Sequence, residues 1–198
     1  MSLLLDALIV YLGADFISGL FHWIEDTYLE HSATNPYIRY VATLNEEHHE
    51  KPNQFTQCHP MENIVTSLPI YTVAMIVGVI LPWKYFGMTC HTVFVLTVMF
   101  TFALFANIFH RFCHTTPPTI VRWLQVLRVL QTPQHHNVHH FTEKAKIPRL
   151  AKGAYYCVIG NVMNPLLEYI RFWRVLERFI HFTTGFKPLW YDNQVTIK

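Results

Sequence analysis

Four histidines lie within six residues of the segment Gln134-His-His-Asn-Val-His-His140. If this segment is helical, the pairs His135/His139 and His136/His140 stand four residues apart and share a helix face. Neutral imidazole is the commonest metal ligand in proteins. Several protonated rings this close together would repel one another, and a shared cation removes that conflict. The spacing therefore predicts a metal site.

Three further groups have similar spacing elsewhere in the chain: His22-x3-Asp26, His48-His49 and His110-x3-His114. Nine of the thirteen histidines lie in the four groups. A structural zinc site needs only four ligands, so nine histidines together with Asp26 indicate two metal ions. The remaining histidines are interpreted as surface or packing residues: His31, His59, His91 and His181.

A polar stripe runs down the first apolar segment, where Asp15, Gly19, His22 and Asp26 are spaced by four, three and four residues. A carboxylate inside a membrane segment is costly and indicates a function. We therefore predict that Asp15 stands behind His22 and Asp26 and orients them. Ala103, Asn107, His110 and His114 have the same spacing in the third apolar segment.

The composition indicates an integral membrane protein. Hydrophobic residues make up 52% of the 198 residues and charged residues only 14%, against a usual charged share of about 25%. Three stretches have the roughly 20 apolar residues that cross a bilayer, at about Leu3–Trp23, Ile64–Trp83 and Thr92–Phe109. We predict an all-α membrane protein with three membrane helices, the alternative being four.

The candidate fourth stretch runs from Ala154 to Trp173 and is interrupted by polar residues. It is interpreted as an interfacial or re-entrant helix that is kinked near Pro165. Twelve of the fifteen Lys and Arg residues lie from Arg111 onward, and the positive-inside rule then places the C-terminal part in the cytosol. With three spans, all four histidine groups are expected on that cytosolic side.

Other functional classes lack the necessary residues. The formal net charge is only +2 and there is no Lys/Arg run, so nucleic-acid binding is not indicated. The four cysteines are scattered without a CxxC pair, and no nucleotide-binding motif occurs. No repeat or linker divides the chain, which is interpreted as one domain over residues 1–198.

The ligand types leave the metal open between zinc, copper, iron and nickel. A site of two metals and mostly imidazole ligands at the cytosolic membrane surface fits iron-based dioxygen chemistry. A zinc-dependent membrane hydrolase with Glu47 as base also fits the ligand count. A metal-binding membrane protein without catalytic activity is a third interpretation.

The histidine groups and their flanking residues resemble the Kua-type lipid desaturases. The matching stretches are Ala14-Asp-Phe-Ile-Ser-Gly-Leu-Phe-His-Trp-Ile-Glu-Asp26, Glu47-His-His49, His110-Arg-Phe-Cys-His114, Gln134-His-His-Asn-Val-His-His140 and Tyr156-Cys-Val-Ile-Gly-Asn-Val-Met-Asn-Pro-Leu-Leu-Glu168. No single stretch is specific, but their order is. The similarity runs from about Gly13 to Pro188.

The resemblance implies a di-iron oxidase that dehydrogenates a lipid chain with dioxygen as co-substrate. In the family's animal member, the alkyl ether chain of a plasmanylethanolamine becomes the vinyl ether of a plasmalogen. Asn164 and Glu168 match a C-terminal motif of the family and are expected to line the site, with Asp15 and Asn107 in supporting roles. The metal ligands that the resemblance implies are His22, Asp26, His48, His49, His110, His114, His135, His136, His139 and His140.

Partners and location are also implied by the family. Two electrons must come from outside, because the chain has no flavin or nicotinamide motif, and cytochrome b5 with its reductase is the expected donor. A plant relative desaturates a fatty acyl chain of plastid phosphatidylglycerol, so an acyl-lipid desaturase or hydroxylase is the alternative. Met1–Leu5 does not resemble a transit peptide, which favours an endoplasmic-reticulum enzyme.

Overall fold

The computed structural model describes residues 2–144 and 154–191, and within these ranges every regular element is a helix. This confirms the predicted all-α class. Ten α-helices are described: α1 (Leu3–Tyr28), α2 (Pro36–Glu50), α3 (Pro60–Met75), α4 (Leu81–Phe86), α5 (Cys90–Leu104), α6 (Ala106–His114), α7 (Thr119–Val126), α8 (Pro133–Lys144), α9 (Met163–Tyr169) and α10 (Phe172–Thr184).

Three helical stretches in the described residues are long and apolar enough to cross a bilayer, as the hydropathy pattern predicted. They contain 26, 27 and 25 residues, and an 18-residue window within each has a mean hydropathy of 1.8, 2.3 and 2.1. About 20 residues suffice for the hydrocarbon core, so each stretch extends beyond it. The three spans are Leu3–Tyr28, Pro60–Phe86 and Cys90–His114. Their length and composition indicate an integral membrane protein.

Side-chain caps explain where the spans begin. The Ser2 hydroxyl accepts a hydrogen bond from the backbone N–H of Leu5, and Thr89 caps α5 in the same way. His59 caps α3 by accepting from the backbone N–H of Met61, while the Glu62 carboxylate accepts from the backbone N–H of His59. These caps satisfy backbone donors that have no partner within the helix. Helix capping therefore accounts for His59.

The fourth apolar stretch is not the single kinked helix that its sequence predicted. Residues 154–161 are non-helical, and α9 begins only at Met163. Pro165 lies in the first turn of α9, where its missing N–H removes no helical hydrogen bond. The break between α9 and α10 falls instead at Arg171, whose φ is 54°.

The non-helical residues 154–160, here called the strap, lie beside α1, and residues 156–160 are deeply buried. Tyr156, Cys157, Val158 and Ile159 are each at most 3% exposed. In a membrane protein, irregular backbone is tolerated only where protein surrounds it and satisfies its polar groups. The strap therefore needs hydrogen-bond partners from neighbouring elements.

Two side chains of α1 supply acceptors for the strap. One carboxylate oxygen of Asp15 accepts from the backbone N–H groups of Ile159 and Gly160, each at 2.9 Å. The Ser18 hydroxyl accepts from the N–H of Val158 at 3.3 Å. Gly19 permits the close approach, since a Cβ there would lie 2.5 Å from the sulfur of Cys157. One face of α1 is thus shaped to hold the strap.

The hydrophobic core lies on two sides of α1. One cluster of buried residues joins α1 to the second and third spans and to the strap, and contains Ala14, Ile17, Tyr71, Ala103, Ala106, Leu130, Val158 and Ile159. The other joins the C-terminal half of α1 to the strap, α9 and α10, and contains Trp23, Tyr156, Cys157, Leu167 and Trp173. Because buried residues pack against both sides of α1, this helix is the central element of the fold.

We predict that Gly19→Ala destabilises the protein by about 1–3 kcal/mol, because the added methyl group meets both the sulfur and the backbone nitrogen of Cys157. The measurement is the midpoint of thermal unfolding in detergent. Gly87→Asn is the control, since a Cβ at Gly87 would meet no atom within 4 Å and Asn tolerates the φ of 64°. Equal midpoints for Gly19→Ala and the unsubstituted chain would contradict this packing.

Candidate metal centre

Five histidines converge where α2, α6 and α8 meet. We call them the first group: His48, His110, His114, His136 and His140. The Nε2 atoms of His110 and His136 are 2.8 Å apart, and those of His136 and His140 are 2.9 Å apart. His114 Nε2 lies 3.3 Å from the Nε2 atoms of both His110 and His140.

These separations match a shared metal ion. If each imidazole nitrogen lies about 2.1 Å from one ion, two nitrogens at a right angle around it lie about 3 Å apart. The Nε2 atoms of four rings from α6 and α8 meet this condition in a buried site. The donor set of the first group therefore fits a metal ion with imidazole ligands.

A second set of ligand atoms lies beside the first and contains the carboxylate. We call His22, Asp26, His49 and His139 the second group. Asp26 Oδ1 is 3.1 Å from His49 Nε2, and Asp26 Oδ2 is 3.5 Å from His139 Nε2 and 3.7 Å from His22 Nε2. Within the described chain, Asp26 Oδ2 is buried and accepts no hydrogen bond. A buried carboxylate oxygen among imidazole nitrogens is also suited to a cation.

The two groups adjoin each other. The ring centroids of His22 and His110 are 5.6 Å apart, and those of His49 and His140 are 5.2 Å apart. His48 and His49 are consecutive residues of α2, yet each belongs to a different group. The arrangement could therefore hold two metal ions side by side.

Backbone carbonyls of the strap orient two ligands of the second group. His22 Nδ1 lies 3.1 Å from the carbonyl oxygen of Tyr156, and His139 Nδ1 lies 2.9 Å from that of Ala154. A carbonyl can only accept, so each Nδ1 carries the proton and donates it. In the neutral ring, Nε2 then keeps a lone pair for the second group. Metal-binding histidines commonly have such a partner on their other nitrogen.

Burial also favours the neutral form of the rings outside the spans. It lowers the pKa of His48, His136 and His139 below the ordinary histidine range, and neighbouring imidazoles lower the pKa further. A histidine with a lowered pKa is neutral at pH 7 and can donate a lone pair to a metal. The lowered pKa values therefore keep these rings in the neutral form that the converging ring nitrogens need in order to bind a metal.

A cavity of about 300 Å³ opens directly beside the two groups. Three ligand residues form part of its wall, namely His22, His48 and His110. The rest of the wall comes largely from α1, α2, α3 and α6 and combines apolar side chains such as Phe21, Ile70 and Ala106 with polar ones such as Asn107 and three carboxylates, those of Glu25, Glu47 and Glu62. The apolar part of this mixed lining could contact an apolar chain beside the metal centre.

The structure does not bring His135 into either group, although the sequence placed it among the ligands. Its Nε2 lies 3.4 Å from the Asn164 amide nitrogen, and its ring is 4.8 Å from that of Tyr155. Consecutive helical residues are rotated by about 100°, so His135 and His136 face different directions. The other three histidines of α8 belong to the two groups.

The four predicted supporting residues occupy different positions. Asn107 lines the cavity, and its amide donates to the Ser67 hydroxyl at 2.8 Å. Asp15 contacts the strap backbone, so it reaches His22 only through that segment. Asn164 is fully buried and donates to the carbonyl of Cys157 at 2.7 Å. Glu168 lies half-buried on α9, where burial raises its pKa.

The other histidines take part in local contacts. His31 pairs with Glu46 at 3.2 Å, and His91 pairs with Asp6 at 3.1 Å. The ring of His181 lies 5.3 Å from that of Tyr191. None of them, nor His59, belongs to a group of candidate ligands among the described residues.

Two residues that contact this region were not predicted. Asn45 donates to Asp26 Oδ1 at 2.6 Å and lies about one helical turn before His48 and His49, a spacing that could have identified it. Gln131 is 1% exposed and donates to the carbonyl of Cys157 at 2.7 Å. Nothing in the local pattern marks Gln131, because its partner lies 26 residues away.

The described fold and site define a class of protein: a membrane-embedded helical protein with two adjoining groups of histidine-rich metal ligands at one end of its spans. The family model of the lipid desaturase domain matches residues 11–190 of the chain. The chain therefore belongs to the lipid desaturase family. Desaturases are oxidoreductases, so membership implies that class of enzyme.

Several relatives are similar over most of this chain. Plasmanylethanolamine desaturase of Myxococcus xanthus is 31% identical, with 94% of this chain and 63% of that protein aligned. Plasmanylethanolamine desaturase 1 of Mus musculus is 32% identical over 89% and 64% of the two chains. A probable fatty acid desaturase of Acanthamoeba polyphaga mimivirus is 30% identical over 90% and 82%.

The chain spans somewhat less than two thirds of the length of both plasmanylethanolamine desaturases. No solved structure matches it. The domain match thus establishes the family but not the substrate or the partners.

The neighbours His135 and His136 provide a matched test of the ligand geometry. We predict that His136→Ala lowers the affinity for cobalt(II) by at least about tenfold, because it removes one of the converging Nε2 atoms. His135→Ala should bind cobalt(II) as the unsubstituted chain does. Titration of the metal-free protein in detergent measures both affinities, and equal losses in the two variants would contradict the exclusion of His135 from the groups.

Proposed function

We propose that the chain is a membrane di-iron lipid desaturase that converts the alkyl ether chain of plasmanylethanolamine into a vinyl ether with dioxygen and external electrons. The observation that carries the proposal is the pair of adjoining ligand groups beside a partly apolar cavity, in a member of the lipid desaturase family. Two relatives named for this substrate support the choice of lipid. A single catalytic domain over residues 1–198 is part of the proposal.

The proposed metal ligands are the nine residues of the two groups. Two iron ions held there would supply the activation of dioxygen and the oxidising power that removes two hydrogens from adjacent carbons. The protein itself supplies neutral imidazoles, one carboxylate and a fixed geometry. His135 keeps no ligand role in the proposal, because its ring contacts Tyr155 and lies outside both groups.

The cavity would bind and position the lipid chain. Its apolar side chains, such as Phe21, Ile70 and Ala106, would cover the chain and exclude water from the reacting carbons. His22, His48 and His110 lie in the same wall, so a chain in the cavity passes the ligand groups. The distance between the cavity mouth and these rings would then select which carbons react.

The overall reaction needs an electron donor. Dioxygen takes up two hydrogen atoms from the lipid, two electrons and two protons, and yields two molecules of water and one new double bond. We propose cytochrome b5 with its reductase, or a similar carrier, as the source of the two electrons. The distribution of Lys and Arg supports a site that faces the cytosol, and the endoplasmic reticulum is the proposed membrane.

A fatty acyl-lipid desaturase is the second candidate, supported by the relative named as a probable fatty acid desaturase, 82% of which is aligned with this chain. The same site and cavity would serve an acyl chain. The zinc hydrolase would need a carboxylate base, for which Glu47 was the candidate. That side chain reaches the cavity wall but is exposed and belongs to neither ligand group, and the named relatives are desaturases.

Lipid analysis separates the two desaturase candidates. We predict that expression in cells that make alkyl ether lipids but no vinyl ethers produces acid-labile vinyl-ether lipids, and that His136→Ala produces none. The readout is mass spectrometry of lipids before and after mild acid. A new acyl double bond without acid-labile lipid would favour the second candidate, and vinyl ether formed equally by His136→Ala would contradict the proposal.

The cavity can be tested with two residues of α3. We predict that Ile70→Phe lowers product formation by about tenfold or more, because Ile70 lines the cavity and overpacking costs about 1–3 kcal/mol. Val73→Phe is the matched control, since Val73 is 60% exposed and lies outside the cavity lining. Metal content should be unchanged in both variants, and full activity of Ile70→Phe would contradict this position for the substrate.

A further inference from the structure

The carbonyl groups that orient His22 and His139 both belong to the strap. Tyr156 offers its carbonyl to His22, and Ala154 offers its carbonyl to His139. The two histidines are members of the second ligand group. The direction of both rings therefore depends on where the strap is held.

Gln131 contacts the strap through both its backbone and its side chain. Its backbone N–H donates to the carbonyl of Ile159 at 2.7 Å, and its side-chain amide donates to the carbonyl of Cys157 at 2.7 Å. Cys157 directly follows Tyr156, so the side-chain bond is one peptide unit from the carbonyl that orients His22. Gln131 is 1% exposed, which makes water a poor substitute for this bond.

Gln131 also joins the strap to the helices that carry ligands of the first group. Its backbone carbonyl accepts from the Gln125 amide at 3.0 Å and from the thiol of Cys113 at 3.5 Å. Cys113 immediately precedes His114 on α6, and Gln131 lies five residues before His136. The position of Gln131 thus links three segments that meet at the metal centre.

We propose that Gln131 is a positioning residue that holds the strap so that its carbonyl groups keep His22 and His139 aimed at the second metal ion. This inference rests on the proposed two-metal site. The side-chain amide of Gln131 acts through the carbonyl of Cys157 and the adjoining peptide.

Asn164 contacts the same residue of the strap. Its amide nitrogen donates to the carbonyl of Cys157 at 2.7 Å, and its amide oxygen accepts from the N–H of Cys157 at 2.9 Å. One carbonyl thus receives two donors, from Gln131 and Asn164. If both residues position the ligands through Cys157, their substitutions must be coupled rather than additive.

The test uses Gln131→Met, which keeps the length of the side chain and removes its donor. The full chain is purified in detergent, freed of metal and titrated with cobalt(II), and the bound metal is counted while the absorption spectrum is recorded. We expect two ions per unsubstituted chain. In Gln131→Met one ion should bind normally and the other about tenfold more weakly, because only the second group loses its orientation.

Gln134→Met is the matched control, since Gln134 is exposed and lies three residues away. It should bind two ions with unchanged affinity. Asn164→Leu and the double variant Gln131→Met/Asn164→Leu complete a double-mutant cycle. The double variant should lose less affinity for the second ion than the sum of the losses in the two single variants.

Three outcomes would overturn the proposal. Unchanged binding of both ions in Gln131→Met would show that the bond to Cys157 does not orient the ligands. Equal weakening of both ions would reveal a general loss of fold, which the unfolding midpoint would also report. Additive losses of affinity in the cycle would show that Gln131 and Asn164 do not act through the same carbonyl of Cys157. If the unsubstituted chain bound fewer than two ions, the two-metal site itself would be wrong, which distinguishes that failure from this one.

Discussion

The convergence of neutral imidazole nitrogens at separations near 3 Å is the constraint on which the rest of the structure depends. Rings this close in a buried site have no favourable protonated state, and burial keeps the pKa of His48, His136 and His139 low. Metal ions satisfy the converging lone pairs without adding protons. The helices α1, α2, α6 and α8 carry the ligands, so they must pack together at one end of the spans.

Two sections of α1 make different contacts. Its middle section presents Asp15, Ser18 and Gly19 to the strap, and its C-terminal end presents His22 and Asp26 to the second ligand group. The buried carboxylate of Asp15 accepts hydrogen bonds from backbone N–H groups of the buried strap. The strap in turn offers carbonyl groups to two ligands. Hydrogen bonds of the strap therefore connect the packing of α1 to the orientation of two metal ligands.

The sequence was sufficient to predict the three spans and to gather most of the histidine groups at one end of them, because hydropathy and four-residue spacing are local signals. It could not divide the ligands into two groups, since His48 and His49 are separated only by the packing of α2 against its neighbours. Spacing alone also could not separate His135 from His136, because the rotation of α8 is set by its packing. The strap was predicted as helix, since a buried apolar run has no periodicity that distinguishes the two conformations.

Elemental analysis of the full chain tests the central claim most directly. The chain would be purified in detergent from cells supplied with both iron and zinc, and its metal content compared with protein concentration. Two iron ions per chain, with little zinc, are the result expected for a pair of adjoining ligand groups that perform desaturation. Two zinc ions, or a single ion of either metal, would contradict the account.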